Sequence, residues 1–284
     1  MPTRFNVAII GVGLIGGSVG LALRQRKLAT KVVGVGRRAG SLAKARRCGA
    51  VDATTTQLAR GVRDADLVVV CSPVEMIAQH VRQAAAACPA GALITDAGST
   101  KASLVAELSG PLGRDVRFVG SHPLAGSEKT GPENASAALF EDRLVVVTPS
   151  DDATAKDVRA IENFWRSLGA RTVRMNAAEH DAAVAATSHA PHVIAAALAA
   201  ATDARHLPLV AGGWLDTTRI AAADAQLWRQ ILLDNRQNTL AALDAFEARL
   251  AEFRAALSEA DGARLARLLD AGKKRRDQSP RKRS

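Results

Sequence analysis

The first half of the chain alternates short β-type apolar runs with helical patterns. Asn6–Ile10, Lys31–Val35, Leu67–Cys71, Ala92–Thr95, Arg117–Val119 and Leu144–Val147 read as strands, and the segments between the early ones are long enough for crossover helices. That alternation implies an α/β fold with a doubly wound, mostly parallel sheet, because a parallel neighbour is reached only through a crossover. A helix from about Thr154 to Leu168 and a last strand Arg171–Met175 follow. From Glu179 the pattern changes to long Ala- and Leu-rich helices, with breaks near Leu207–Gly213 and Gly262. The expected division is a sheet domain over 1–175, an all-α domain over 176–272, and a basic, Pro-containing tail over 273–284 that is expected to be disordered.

Charge first suggests a different class of protein. The 284 residues carry 38 Lys+Arg against 28 Asp+Glu, a formal +10, which points globally to nucleic acid or a membrane surface. The distribution reverses that picture: residues 1–51 hold ten basic side chains and no acid, 273–284 hold seven and one, and 52–272 hold 21 basic and 27 acidic. A duplex-binding surface needs basic residues on the body of the fold, and this body is acidic. Aromatic residues make up 3% with no Tyr, which argues against base-stacking platforms. Cys48, Cys71 and Cys88 are odd in number and lack Cys-x-x-Cys spacing. They argue against a disulfide framework or structural zinc site and for a reduced, cytoplasmic compartment. Two apolar stretches imitate membrane signals. The run after Arg4 is broken by five glycines before Leu23, and Ala182–Thr202 is Ala-rich and contains Ser188, His189, Pro191 and His192. Both are better read as parts of a globular fold, without a membrane partner.

Strand Asn6–Ile10 runs into Gly11-Val12-Gly13-Leu14-Ile15-Gly16-Gly17-Ser18 and then a helix. This is the Rossmann dinucleotide fingerprint: Gly11 permits the tight turn, Gly13 lets backbone approach a pyrophosphate, and Gly16 lets helix pack on strand. An ordinary strand–helix turn is the bland alternative, but strand, helix and next strand are all in place. An NAD site places a carboxylate at the end of the second strand; here the chain reads Val35-Gly36-Arg37-Arg38, with no acid before Asp52. Arg37 and Arg38 suit a 2′-phosphate, so NADP is the expected cofactor and NAD the alternative. Two solvated surface arginines would look the same.

Three further segments carry candidate chemistry. Leu93–Lys101 is a strand end, loop and helix start containing Asp96 and Ser99, where a Ser or Thr could equally be a helix cap. Val119–Lys129 puts His122 and Glu128 on a Gly-flanked loop after a strand, and strand ends form the ligand crevice of doubly wound sheets. In His180–His192, Ser188 and His192 stand four apart on one helix face; a metal site is disfavoured because His180 is off that face. Asp216–Ala221 and Asp224–Trp228 frame Arg219, either paired structurally or poised for an anion.

In this order, Gly11–Ser18, Asp96–Lys101, Ser121–Lys129, His180–His192 and Asp216–Trp228 resemble the prephenate/arogenate dehydrogenases of tyrosine biosynthesis, from Asn6 to about Leu240. The resemblance implies an N-terminal nucleotide-binding domain and a helical domain that forms a homodimer. It implies oxidative decarboxylation of a cyclohexadienyl acid, without metal or covalent nucleophile. His122 would take the proton of the ring hydroxyl, Ser99 would hydrogen-bond His122 and substrate, and Arg219 would bind a substrate carboxylate. His192 and Ser188 would line the pocket, Glu128 would stand near its entrance, and Ser72-Pro73 would border the cofactor. A rival hydroxy-acid dehydrogenase or imine reductase would need a lysine on the helical domain, and residues 175–240 contain none. A non-enzymatic rival, an NADP-sensing regulator that binds nucleic acid, would depend on the 273–284 tail.

Overall fold

The computed structural model describes residues 5–127 and 129–279. Eight strands, β1 (Phe5–Ile10), β2 (Ala29–Val35), β3 (Ala53–Thr55), β4 (Leu67–Val70), β5 (Leu93–Asp96), β6 (Arg117–Pro123), β7 (Leu144–Thr148) and β8 (Arg171–Arg174), form one sheet in the order β3-β2-β1-β4-β5-β6-β7-β8. Every pairing is parallel except β6 with β7. The order reverses direction between β1 and β4, which opens a crevice at their carboxyl ends.

Helices α1 (Leu14–Gln25), α2 (Ala39–Arg47), α3 (Leu58–Val62), α4 (Val74–Ala87), α5 (Ala102–Glu107) and α6 (Ala155–Ser167) cover the two faces. The period-2 alternation of the strands sorts their side chains between two cores. Val7, Ile9 and Val69 pack with Val19 and Leu23 of α1 and with Trp165 of α6. Ala8, Ile10, Val68 and Val70 pack with Ile77 and Val81 of α4 and with Leu104 of α5.

Strand β6 differs from its sequence expectation. Arg117–Val119 pairs in parallel with β5, but the strand does not stop there: Gly120–Pro123 continues antiparallel against β7, so that His122 lies opposite Val146. His122 is therefore on a strand rather than a loop. The polar residues of this extension are satisfied inside the fold. Trp165 Nε1 donates to Ser121 Oγ at 2.9 Å, Ser121 N donates to Asp96 Oδ1 at 2.9 Å, and Thr95 Oγ1 donates to the Val119 carbonyl at 2.7 Å.

Beyond β8 the chain is helical: α7 (Ala177–Val184), a π-turn over Ala185–His189, α8 (Ala190–Ala201), α9 (Gly212–Thr218), α10 (Ala225–Asp234), α11 (Arg236–Ser258) and α12 (Gly262–Asp277). The span Ala177–Ala201 is long and apolar enough to cross a membrane by composition alone. Its buried face, however, carries His180, Asp181, His189 and His192, which a lipid-facing helix would not hold without protein partners. Helix α12 corrects the expectation of disorder from 273 onward, since it continues to Asp277. The Lys274–Asp270 and Lys273–Asp277 pairs one turn apart, and three basic residues in the last turn, Lys274, Arg275 and Arg276, favour that helix.

Candidate active site

Three cavities form one cleft along the carboxyl ends of the strands. The first, of about 490 Å³, is lined by Gly11, Gly13, Arg37, Arg38, Ser72 and Pro73. The second, of about 430 Å³, shares Gly13, Ser72 and Pro73 with it and adds Leu14, Ile15 and Ser99. The third, of about 460 Å³, holds Ser99, His122, Ser188, His192, Arg219 and Trp228. Ser99, His122 and Trp228 face both of the last two, so His122 stands where one chamber opens into the next.

The glycines fit a dinucleotide. Gly11 has φ +91°, and a Cβ there would lie 2.6 Å from the Cys71 carbonyl oxygen just past β4, so the turn from β1 into α1 admits only glycine. A Cβ on Gly16 would collide with the Gly11 carbonyl, which makes the close helix–strand approach equally specific. Gly13 is different: nothing lies within 4 Å of the direction its Cβ would take, so this backbone opens onto the cleft. Helix α1 begins beside it without a side-chain cap, leaving its first amides for an anion.

At the third cavity His122 is partly exposed and makes one ring hydrogen bond, between its Nδ1 and His180 Nε2, 2.9 Å apart. Ser99 lies alongside in the cavity wall, but the partner on Nδ1 is His180, not the serine expected from the resemblance. His180 is fully buried and its Nδ1 contacts Asp181 Oδ1 at 2.7 Å. Asp181 also accepts from the backbone amides of Lys101 and Ala102, each at 2.8 Å, fixing the start of α5. Burial, then the charges that His180, Lys101 and His189 can carry, pushes the His122 pKa well below 6.5. Its ring is neutral at pH 7. Burial alone would raise the Asp181 pKa, but the hydrogen bonds from His180 and the two amides outweigh it and hold the carboxylate ionised.

His192 lies flat against Trp228, with ring centroids 3.5 Å apart and planes 12° from parallel, and burial lowers its pKa. Its Nδ1 is buried without a protein partner, a polar atom left for a ligand at the cavity. His189, pushed down to about 4 chiefly by burial, faces Asn235 across 3.1 Å. Beneath the site Lys101 Nζ and Asp96 form a fully buried ion pair, and Asp96 Oδ2 also accepts from the Gly98 amide at 2.8 Å. Arg219 starts a short 3-10 turn on the cavity rim, and Ser188 lies exposed on the π-turn. Glu128 lies outside the described residues.

Sequence reasoning thus names side chains that meet around one cleft, but it misses His180, Asp181, His189 and Trp228. Helical spacing only sets His180 off the face of Ser188 and His192, which argues against a metal site and assigns it no partner. Its actual partner is 58 residues away, on another element.

A glycine cradle at the sheet's switch point, opening toward a neutral histidine and an arginine, defines a dinucleotide-dependent oxidoreductase. Sequence comparison narrows the class. The profile described as "Prephenate dehydrogenase, nucleotide-binding domain" matches residues 19–174, and "Prephenate dehydrogenase, dimerization domain" matches 176–271. A cyclohexadienyl dehydrogenase of Zymomonas mobilis is 35% identical over 264 residues, 90% of each chain. A prephenate dehydrogenase of Bacillus subtilis is 32% identical over 97% of this chain and 76% of its own. The structure of prephenate dehydrogenase from A. aeolicus, in complex with hydroxyphenyl propionate and NAD+, superposes with a TM-score of 0.89 at 32% identity, covering 96% of this chain and 98% of that one. The chain belongs to the prephenate dehydrogenase family.

Proposed function

We propose that the protein converts prephenate to 4-hydroxyphenylpyruvate by oxidative decarboxylation in tyrosine biosynthesis, with NADP as its preferred oxidant, as a cytoplasmic homodimer joined through the helical domain. The observation that carries this reading is His122, a neutral imidazole standing where the nucleotide and substrate chambers meet. Such a group is suited to accept a hydroxyl proton near pH 7.

When bound, the nicotinamide supplies the hydride acceptor. The side chains supply position and proton transfer. Arg219 holds a carboxylate of the substrate, and His192, kept neutral and flat against Trp228, offers its open Nδ1 within the same chamber. Ser99 borders both chambers and orients the ring hydroxyl, with Ser188 in the wall of the substrate chamber. His122 Nε2 takes the hydroxyl proton as the carbon–hydrogen bond breaks. Loss of the ring carboxylate as carbon dioxide leaves its electron pair in the ring, and the oxygen recovers the proton from His122 as a phenol. Hydride and carbon dioxide are thus the net losses, and the base is restored. Aromatisation drives the step, so orientation and one proton acceptor are the main demands on the protein.

The absence of an acid before Asp52 and the two exposed arginines on the first cavity favour NADP; NAD, named in the A. aeolicus complex, is the alternative. The cyclohexadienyl dehydrogenase relative favours a second reading of the substrate, in which arogenate is oxidised to tyrosine. One assay crossing both substrates with both nucleotides tests all of this: prephenate with NADP should turn over fastest, a preference for arogenate selects the second reading, and turnover of neither substrate refutes both. In the same assay His122→Asn should keep KM near the wild-type value and lower kcat by roughly 10²–10⁴-fold, the usual worth of a positioned general base. A change confined to KM would sink the base assignment.

A further inference from the structure

We infer that His180, anchored by Asp181, is a positioning residue that fixes the tautomer of His122 and keeps its Nε2 lone pair aimed into the substrate chamber. The inference rests on the reading of His122 as the base, and it assigns to the buried His180–Asp181 pair a part in the reaction.

The direction of the hydrogen-bond chain follows from its end. Asp181 is ionised and can only accept: Oδ1 takes the Lys101 amide and His180 Nδ1, and Oδ2 takes the Ala102 amide. The proton between His180 and Asp181 therefore sits on His180 Nδ1. In the proposed chain this is the single N–H of His180, which leaves its Nε2 bare to accept. What it accepts, across 2.9 Å, is the N–H of His122 Nδ1. His122 is neutral too, and its remaining nitrogen, Nε2, is then bare, the form a base needs. Two bare nitrogens or two N–H groups facing each other at this distance would be repulsive, so one choice at Asp181 propagates through both rings. Free histidine favours the opposite tautomer, with the proton on Nε2, which would leave His122 without a lone pair toward the substrate.

Burial makes the device rigid. His180 is fully enclosed in the first turn of α7, a helix capped by Asn176, whose side chain accepts from the Ala178 amide. The rings of His122 and His180 meet edge to face at 75°, with centroids 5.1 Å apart. The other titratable groups around the pair are already committed: Lys101 Nζ to Asp96, and His189 to Asn235. As the proton arrives on Nε2, the positive charge on His122 is passed by hydrogen bonds toward a carboxylate already in place, as in a serine–histidine–aspartate triad with one more imidazole interposed.

Asp181 is a poor test position because it also fixes α5, whereas His180 offers a matched pair of substitutions. His180→Gln places an amide oxygen near the former Nε2 and can still accept from His122; His180→Asn reaches only the Asp181 side and cannot. The protein has six histidines, so 15N-labelled imidazole spectra can be assigned with single variants. In the wild type, His122 should carry its proton on Nδ1. In His180→Asn the Nε2–H form should appear and kcat should fall by between about 10- and 10⁴-fold with little change in KM, and His180→Gln should restore much of both. A wild-type His122 protonated on Nε2 overturns the inference without recourse to any variant. So does an unaltered tautomer in His180→Asn, or equal loss in both variants together with a lowered Tm, which would mark a structural role. If His122→Asn keeps turnover while the wild-type tautomer is as described, the base assignment fails and the tautomer lock stands.

Discussion

At the scale of single residues, the choice of nucleotide turns on the end of β2. A ribose with free hydroxyls is held there by a carboxylate, which accepts two hydrogen bonds; a 2′-phosphate needs donors and positive charge. Arg37 and Arg38 are exposed, line the first cavity and follow directly on the strand, whereas Asp52, the first acid in the chain, is bound to Arg24 and to the Val32 amide. His80 reaches the same cavity, hydrogen-bonded to Ser72 at 2.8 Å, and its pKa is lowered by burial and then by Arg37. It is neutral at pH 7, so the arginines supply the charge. Arg37→Asp should weaken NADP by about 10- to 100-fold, since a hydrogen bond to a charged group contributes roughly 1.5–3 kcal/mol, and should weaken NAD much less. Dissociation constants for the two nucleotides check this; an equal effect on both would show that Arg37 does not meet a 2′-phosphate.

At the scale of elements, what could be read from the chain was what periodicity encodes. Strands β1, β4, β5 and β7 are largely apolar runs buried on both faces, β2 becomes one from Val32 onward, and the run itself announces them. Strand β3 is three residues, Ala53-Thr54-Thr55, all half-buried at the sheet edge and paired only with β2, so it has no run to detect. The extension of β6 escapes for another reason. Gly120-Ser121-His122-Pro123 reads as a loop by composition, and becomes strand because β7 supplies the ladder while Asp96 and Trp165 satisfy Ser121. The site shows the same division. Fingerprint glycines and strand-end polar residues announce themselves locally as the nucleotide cradle and His122, whereas Arg219, in the helical part, stands out only by its framing in an apolar region and by the family resemblance. The His122–His180 contact joins the sheet domain to the first helix after it, and no window along the chain contains both residues. The π-turn at Ala185–His189 is likewise unreadable from helical spacing, and it sets Ser188 and His192 on one cavity in a register other than the assumed α-helical one. Tertiary contact, not local propensity, decides each of these.

At the scale of the whole molecule, two properties emerge that no single element has. The first is the uneven distribution of exposed apolar side chains: among the described residues Leu209 is 79% exposed, Leu257 64%, Leu233 60% and Leu269 59%, all in the helical part, while the sheet domain offers only Leu124 at 41% and Val173 at 36%. Helices whose leucines face water in one chain call for a second chain, and sedimentation should give a dimer; a monomer at micromolar concentration would contradict the proposed assembly. The second property is acid sensitivity. His80, His122, His189 and His192 all have pKa values lowered, in each case chiefly by burial. In the unfolded chain the same rings titrate near 6.5. As pH falls past that value the unfolded state takes up protons that the folded state refuses, so stability is complete above it and is lost progressively on acidification. Asp181, whose carboxylate is stabilised in the fold, acts in the same direction but only as pH drops below its ordinary 3.8, outside this interval. Tm should therefore decline steadily between about pH 7.5 and pH 5. Self-repulsion of a chain with formal charge +10 could produce a similar decline, but added salt would suppress it, whereas the cost of charging a buried imidazole is little screened. A Tm that is flat across the interval, or a decline abolished by salt, would show that these histidines do not set the acid limit.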